Sequence, residues 1–323
     1  MHTRNRHSQG RVVHPAHFGV RAAFSLLLMV LSLAFVAAPA SPVMAAALQG
    51  AGAISCDRAT PAASGITGTA AATPVAPASV EFPAEGGTLT VFAAASLTDA
   101  FATIVDDIQA AHPNVTITVE TGGSQALVTQ LTEGAQADVL ATANTSTMKD
   151  AQAAGVIEGA PVVFTGNRLL IVTPEGNPAG IASLDDLAKS GVKLVIAGAD
   201  VPVGSYTRKT LCSYVAKGDA PEGFLEAVNA NVVSEETDVR SVLAKVQLGE
   251  ADAGIVYASD AVASNLAGTP VGTIEFPFET TATYPIAPVA GGNTELAQAF
   301  ITYVLSPEGQ QVLSDFGFAP AAS

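Results

Sequence analysis

The 323-residue chain has no tryptophan, and aromatic residues make up only 6% of it. Hydrophobic residues reach 49%, so a core is available, but one built from Ala, Val, Leu and Ile. Histidine is scarce where it matters. Of the five, His2, His7, His14 and His17 fall in the first 17 residues, which leaves His112 beside Pro113 at the end of a helical pattern, where a solvated helix end is its expected role. One histidine and two distant cysteines build neither a zinc site nor a histidine-based triad. Gly122-Gly123-Ser124 lacks the Gly-Lys-Ser/Thr ending of a phosphate-binding P-loop. Positive charge is also short, with 14 Lys and Arg against 29 Asp and Glu.

Part of that positive charge belongs to the N-terminus. Arg4, Arg6, Arg11 and Arg21 precede an apolar run from Ala22 to Ala38, and small residues follow through Ala45-Ala46. A charged region, an apolar region and an A-x-A-like zone read as an export signal over residues 1–45. A retained membrane anchor is the competing reading, because the run approaches spanning length. The leader takes four basic residues and no acidic ones, leaving 10 against 29, a net of −19. Such a surface argues against nucleic acid or anionic lipid as partner. Any bound anion must be held by local dipoles against that field.

Residues 46–86 read as a disordered spacer, rich in Ala, Pro and Thr with little charge. Within it, Ala53-Ile-Ser-Cys56 loosely resembles a lipobox, with Ala53 where Leu is usual. In an oxidising compartment a Cys56–Cys212 disulfide competes with a lipid on Cys56, and both readings stay open.

From Thr88 onward strand and helix patterns alternate. Thr88–Ala94 reads as a strand running straight into a helix with Leu97, Phe101, Ile104, Val105 and Ile108 on one face. Ser96 and Asp99 have capping-box spacing. Strands follow at 115–120, 138–142 and 168–172, then at 193–197, 231–233 and 253–257, with helices between, one of them starting near Ser205. Glu235-Glu236-Thr237-Asp238 reads as a helix opening. This order implies mainly parallel sheets flanked by helices, in two α/β lobes of similar plan. The acidic pairs Asp106-Asp107, Asp185-Asp186 and Glu235-Glu236 each lie near a helix and read as dipole complements or solvated faces. With no paired carboxylates at a strand-to-helix turn, an acid-base hydrolase is disfavoured and no enzyme activity is expected.

Four junctions share a feature: Ser96, Ser124, Val203-Gly204 and Asp238-Val239 all precede or open a helix. Helix N-termini leave N–H groups unpaired, and several of them converging with hydroxyls suit a small oxyanion. Taken alone, Ser96 and Ser124 read equally as plain caps.

The joint pattern resembles a known family. Val91-Phe-Ala-Ala-Ala-Ser-Leu-Thr98, Ser124 ahead of Gln130-Leu131, Ala137-Asp138, Val201-Pro-Val-Gly204, Asp238-Val-Arg240, Gly254-Ile-Val-Tyr-Ala-Ser-Asp-Ala-Val-Ala-Ser264 and the ending from Tyr303 to Phe318 are similar to the molybdate-binding proteins of ABC importers. The resemblance covers Gly87 to Pro320. It implies a type II periplasmic-binding fold of two lobes joined by two crossover strands, with 87–168 plus 275–323 as lobe 1 and 169–274 as lobe 2. It further implies that Ser96 and Ser124 donate hydroxyl and backbone bonds, that Val203 and Val239 donate backbone N–H groups, and that Tyr257 donates its phenol. Gly122-Gly123 departs from the serines frequent there, which suggests a looser loop, and Val203 replaces a common Ala.

The expectation is therefore an exported monomer, tethered or free, in the periplasm or at the outer face of the membrane. It captures molybdate or tungstate between its lobes, needs no cofactor, and delivers the ion to a membrane permease. The alternative is a binding protein of the same fold for sulfate or an organic sulfonate or carboxylate. A larger organic ligand would recruit an Arg fork, and Arg240 is the Arg at a candidate junction. The oxyanion reading expects it turned away.

Overall fold

A computed structural model of the chain describes residues 53–56 and 80–320. The export-signal reading of residues 1–45 lies outside them. The elements in order are β1 (Gly87–Ala94), α1 (Thr98–Ala111), β2 (Val115–Gly122), α2 (Ser124–Thr132), β3 (Val139–Ala141), α3 (Thr145–Ala153) and β4 (Val162–Thr173). Then come β5 (Leu194–Ala197), α4 (Pro202–Ala216), α5 (Phe224–Asn231), β6 (Val232–Glu236), α6 (Val239–Gln247), β7 (Ala253–Tyr257) and α7 (Ala258–Leu266). The chain ends with β8 (Gly272–Glu275), β9 (Thr281–Pro288), α8 (Thr294–Leu305) and α9 (Pro307–Asp315).

The strands run in the order β2-β1-β3-β9-β4-β7-β5-β6, with β8 also beside β4. β1 pairs in parallel with β2 and β3, and β5 pairs in parallel with β6 and β7. Between these parallel groups stand antiparallel strands, chiefly β4. Its residues Val162–Arg168 pair with β9, and its residues Leu169–Thr173 pair with β7 and β8. One strand thus belongs to both lobes, changing partners between Arg168 and Leu169. The return from β8 to β9 runs through residues 276–280.

Parallel strands covered on both faces are apolar over most of their length, and the second half of β1, Val91–Ala94, shows why. Leu89, Val91 and Ala93 share one buried cluster with Phe101, Ile104 and Ile108 of α1. Phe92, on the opposite face, packs with Leu127, Leu131, Leu140 and Met148 in a second cluster. In the other lobe α6 lies against β7 at Gly254, where an added Cβ would meet Val246 Cγ2 at 2.9 Å and Val242 Cγ1 at 3.0 Å. Glycine there sets how closely α6, and hence Val239, approaches the sheet.

The stretch expected to be spacer is held at both described ends. Ile54 is buried, its N–H donates to Asn229 Oδ1 at 2.8 Å, and its carbonyl accepts from Asn229 Nδ2 at 3.0 Å. Cys56 is disulfide-bonded to Cys212 of α4, so its sulfur is not free to carry a lipid. Phe82 is buried with its ring 4.7 Å from that of His112. His112 is the C-cap of α1 and a packing partner of Phe82, which corrects its expected role as a merely solvated helix end. Among the described residues no helix is long and apolar enough to cross a membrane.

Candidate functional site

Ser96, Ser124, Val203, Val239 and Tyr257 line one pocket between the lobes, together with Gly122, Gly123, Ala143 and Asp238 among others. About 210 Å³ of space not filled by atoms, part of it open to solvent, lies within it. None of its lining residues is Lys, Arg or His.

Each donor is placed by a strand-to-helix turn, though not always as the spacing suggested. The expected capping box at Ser96 does not form. Ala95–Leu97 make a 3-10 turn, α1 begins at Thr98 with Leu97 as N-cap, and no side chain caps it. Ser96 Oγ instead lies 2.9 Å from Tyr284 Oη, both groups being buried. Asn167 Nδ2 donates to Ser259 Oγ at 2.8 Å and, at 3.4 Å, toward Tyr284 Oη. Its amide orientation is fixed because Oδ1 accepts from the Arg168 N–H at 3.0 Å. Either hydroxyl of the Ser96–Tyr284 pair can donate to the other, and where Tyr284 donates, the Ser96 proton is available to the pocket.

Ser124 is the first residue of α2, and Gly123 is its N-cap, so the plain-cap reading of Ser124 fails as well. Ser124 Oγ accepts from the Ala143 N–H at 3.1 Å, leaving its own proton to donate. The helix expected from Ser205 begins at Pro202, which places Val203 and Gly204 inside its first turn. There the amides have no carbonyl within the helix to bond. Gly204 is obligatory: an added Cβ would stand 1.9 Å from Gly198 O and 2.4 Å from Ala197 O. Glu235 and Glu236 end β6, and α6 opens only at Val239. Asp238, an acid in the pocket lining, has its carboxylate turned to the helix. Oδ1 accepts from Ser241 N–H at 2.9 Å and Oδ2 from Ser241 Oγ at 2.8 Å.

Tyr257 closes the shell. It is 1% exposed, and its hydroxyl has no hydrogen-bond partner among the described residues. Burial holds its phenol well above the usual tyrosine range, so the group is a neutral donor at any physiological pH. Burial acts on Tyr284 in the same direction. Gly123 answers the question raised by the departure at 122–123. An added Cβ there would lie 2.4 Å from Thr237 O of the other lobe, and the neighbouring Gln125 Nε2 donates to that carbonyl at 2.9 Å. The glycine lets the lobes meet; it does not loosen the loop.

Sequence reasoning missed Tyr284, Asn167 and the Gly123–Thr237 approach, because nothing local marks residues so far apart in the chain as neighbours. It also did not see Arg240 as a bridge: the side chain pairs with Asp99 and Asp260 and is absent from the pocket lining. The acidic pairs are partly tied in, since Asp186 accepts from Ser183 N–H, Glu235 pairs with Arg208 and Glu236 with Lys245.

Comparison with known proteins bears on the family and the fold. Residues 89–319 match the family described as bacterial extracellular solute-binding protein. The molybdate-binding protein ModA of Mycobacterium bovis is 38% identical over 242 residues, covering 73% of this chain and 87% of that protein. Two solved structures share the fold. The sulfate-binding protein SubI of Mycobacterium tuberculosis aligns with TM-score 0.65 at 22% identity, over 72% of this chain and 86% of that one. The periplasmic molybdate-binding protein of Azotobacter vinelandii aligns with TM-score 0.59 at 15% identity, over 72% and 100%.

Proposed function

The chain belongs to the bacterial extracellular solute-binding proteins, which serve ABC transporters, and from that premise we propose that it captures molybdate, and tungstate with it, in the interlobe pocket. The observation that carries this reading is the Tyr257 hydroxyl, buried, protonated and without an acceptor at the wall of a small pocket that holds no cationic side chain. A tetrahedral oxyanion supplies the missing acceptor. Ser96 and Ser124 add hydroxyl protons, and Val203 and Val239 add first-turn amides from the other lobe, so the ion is bound by neutral donors whose positions the backbone sets. The first turns of α2, α4 and α6, which contribute Ser124, Val203 and Val239 to the lining, offset part of the cost of removing the ion from water. The protein is proposed to be exported, to act as a monomer without a cofactor at the outer face of the membrane, and to hand the ion to a permease.

Sulfate has the same charge and shape but is smaller, and a rigid shell sized for the larger ion leaves its hydrogen bonds stretched. The arginine that an organic carboxylate or sulfonate would recruit is engaged elsewhere. Thermal unfolding in the presence of molybdate, tungstate, sulfate, phosphate and a small organic sulfonate tests the assignment. Molybdate and tungstate should raise the midpoint most, since a ligand that binds the folded state stabilises it by mass action. A larger rise with sulfate or the sulfonate would reassign the ligand.

A further inference from the structure

Behind the pocket residues lies a second set of side chains at short, regular offsets in sequence. Asp99 follows Ser96 by three positions, Asp260 follows Tyr257 by three, and Arg240 follows Val239 by one. Arg240 joins them. Its Nη2 bonds the Asp99 carboxylate of the first lobe, and its Nε stands 2.9 Å from Asp260 Oδ1 of its own lobe as a charge contact. Asp260 is fully buried, and its other oxygen accepts from the Tyr257 N–H at 3.1 Å. Beside this bridge, the Gln125–Thr237 bond and the close approach at Gly123 also span the cleft.

The two arms of Arg240 differ in kind. A buried carboxylate deprived of its cation is strongly unfavourable, so Asp260 keeps the guanidinium in place whatever the lobes do. The Asp99 side chain is 41% exposed and meets Arg240 only across the cleft, so opening breaks this arm first. An exposed pair contributes little to stability. Here, though, it biases the equilibrium between closed and open lobes, and a trapped ligand leaves only when they part.

We propose that Arg240 is a positioning residue of the anion site: braced by Asp260, it grips Asp99 across the cleft, holds the Val239 amide and the Ser96 hydroxyl in register, and slows ligand release without touching the ligand. The proposal rests on the oxyanion reading of the pocket.

The test compares wild type with D99N, R240Q and R240Q/D99N, measuring molybdate association and release by stopped flow and affinity by calorimetry. Should R240Q alone fail to fold, R240Q/D260N replaces it, leaving a neutral buried pair. Release should quicken about two- to fivefold in D99N and in the Arg240 variant alike, the range an exposed ion pair can supply. Association should stay within about twofold, and the double variant should be no worse than either single one, as expected for partners in one contact. Loss of binding in the Arg240 variant with D99N unchanged would mean that the guanidinium meets the ligand itself, which overturns the proposal. Unchanged release in every variant, or strictly additive effects, overturns it too. If wild type binds no molybdate, the oxyanion reading fails on its own account. The clasp is then read by amide hydrogen exchange of the ligand-free protein: faster exchange at the first turns of α1 and α6 in D99N supports it, and unchanged exchange overturns it.

Discussion

A phenol hydroxyl shut away from water without an acceptor costs a folded protein on the order of 1–3 kcal/mol. Tyr257 carries that cost: among the described residues its hydroxyl makes no hydrogen bond of normal geometry, the nearby Tyr284 hydroxyl acting on it without one. Tyr257→Phe should therefore leave the ligand-free protein as stable as wild type or more stable by about 1 kcal/mol, while molybdate affinity falls by about tenfold or more. Chemical unfolding gives the first quantity and calorimetry the second. A fall in both together would mean that the hydroxyl has a structural partner. At this scale the sequence was only partly legible. Ser96, Ser124 and Tyr257 carry visible chemistry, and the family resemblance picked them out of many serines and tyrosines. Val203 and Val239 are proposed to act through their amides, so no property of a valine side chain points to them. Tyr284, 188 positions from Ser96, and Asn167 stand on the paired strands β9 and β4, and no local pattern records their approach to Ser96.

Helix starts are the working parts of this site, and glycines decide how near they come. Gly204 brings the first turn of α4 against the end of β5, with the nearest backbone oxygen 1.9 Å from where a Cβ would sit. Relief requires the helix to shift, because the obstacle is main chain on both sides. Gly204→Ala should displace the Val203 amide, cost about 1–3 kcal/mol of stability as other overpacked sites do, and weaken oxyanion binding by more than that loss of stability explains. A folded variant with unchanged affinity would show that the Val203 amide is not a donor. The alternation of strands and helices was readable from apolar periodicity, since buried parallel strands and amphipathic helices differ in it. Their ends were less so. Ser96 and Asp99 have the spacing of a capping box, yet a 3-10 turn carries Ser96 away from the helix end and Asp99 turns to Arg240. Local spacing proposes a cap, and tertiary partners 141 and 188 residues away settle the matter otherwise.

Across the molecule, an acidic chain surrounds the proposed anion site, whose lining has no cation, and it manages its nearby carboxylates by engaging them. Asp238 is spent on a helix cap, Asp99 and Asp260 on Arg240. Burial pushes Asp260 up to about 6 from 3.8, although Arg240 and the Tyr257 N–H oppose the rise. The unfolded chain loses this proton near pH 4, whereas the folded protein keeps it until about pH 6. Between these values the folded state binds more protons, so the contribution of Asp260 to stability falls as pH rises through the window and is level above it. The change is on the order of 3 kcal/mol for a buried group. Unfolding free energies of wild type and Asp260→Asn should thus diverge between pH 4 and 6 and run parallel above about 6.5; parallel curves throughout would show that Asp260 titrates normally. The two-lobed plan was legible from the element order and the family resemblance. The packing of Ile54 on Asn229 was not, because a short apolar residue in an Ala- and Pro-rich run carries no periodic signal.

The most direct test is isothermal titration of the purified protein with molybdate, alone and in the presence of excess sulfate. A saturable one-to-one heat at micromolar protein, little altered by sulfate, is expected if neutral donors from both lobes enclose the larger ion. No heat with molybdate, or its abolition by sulfate, would contradict that reading.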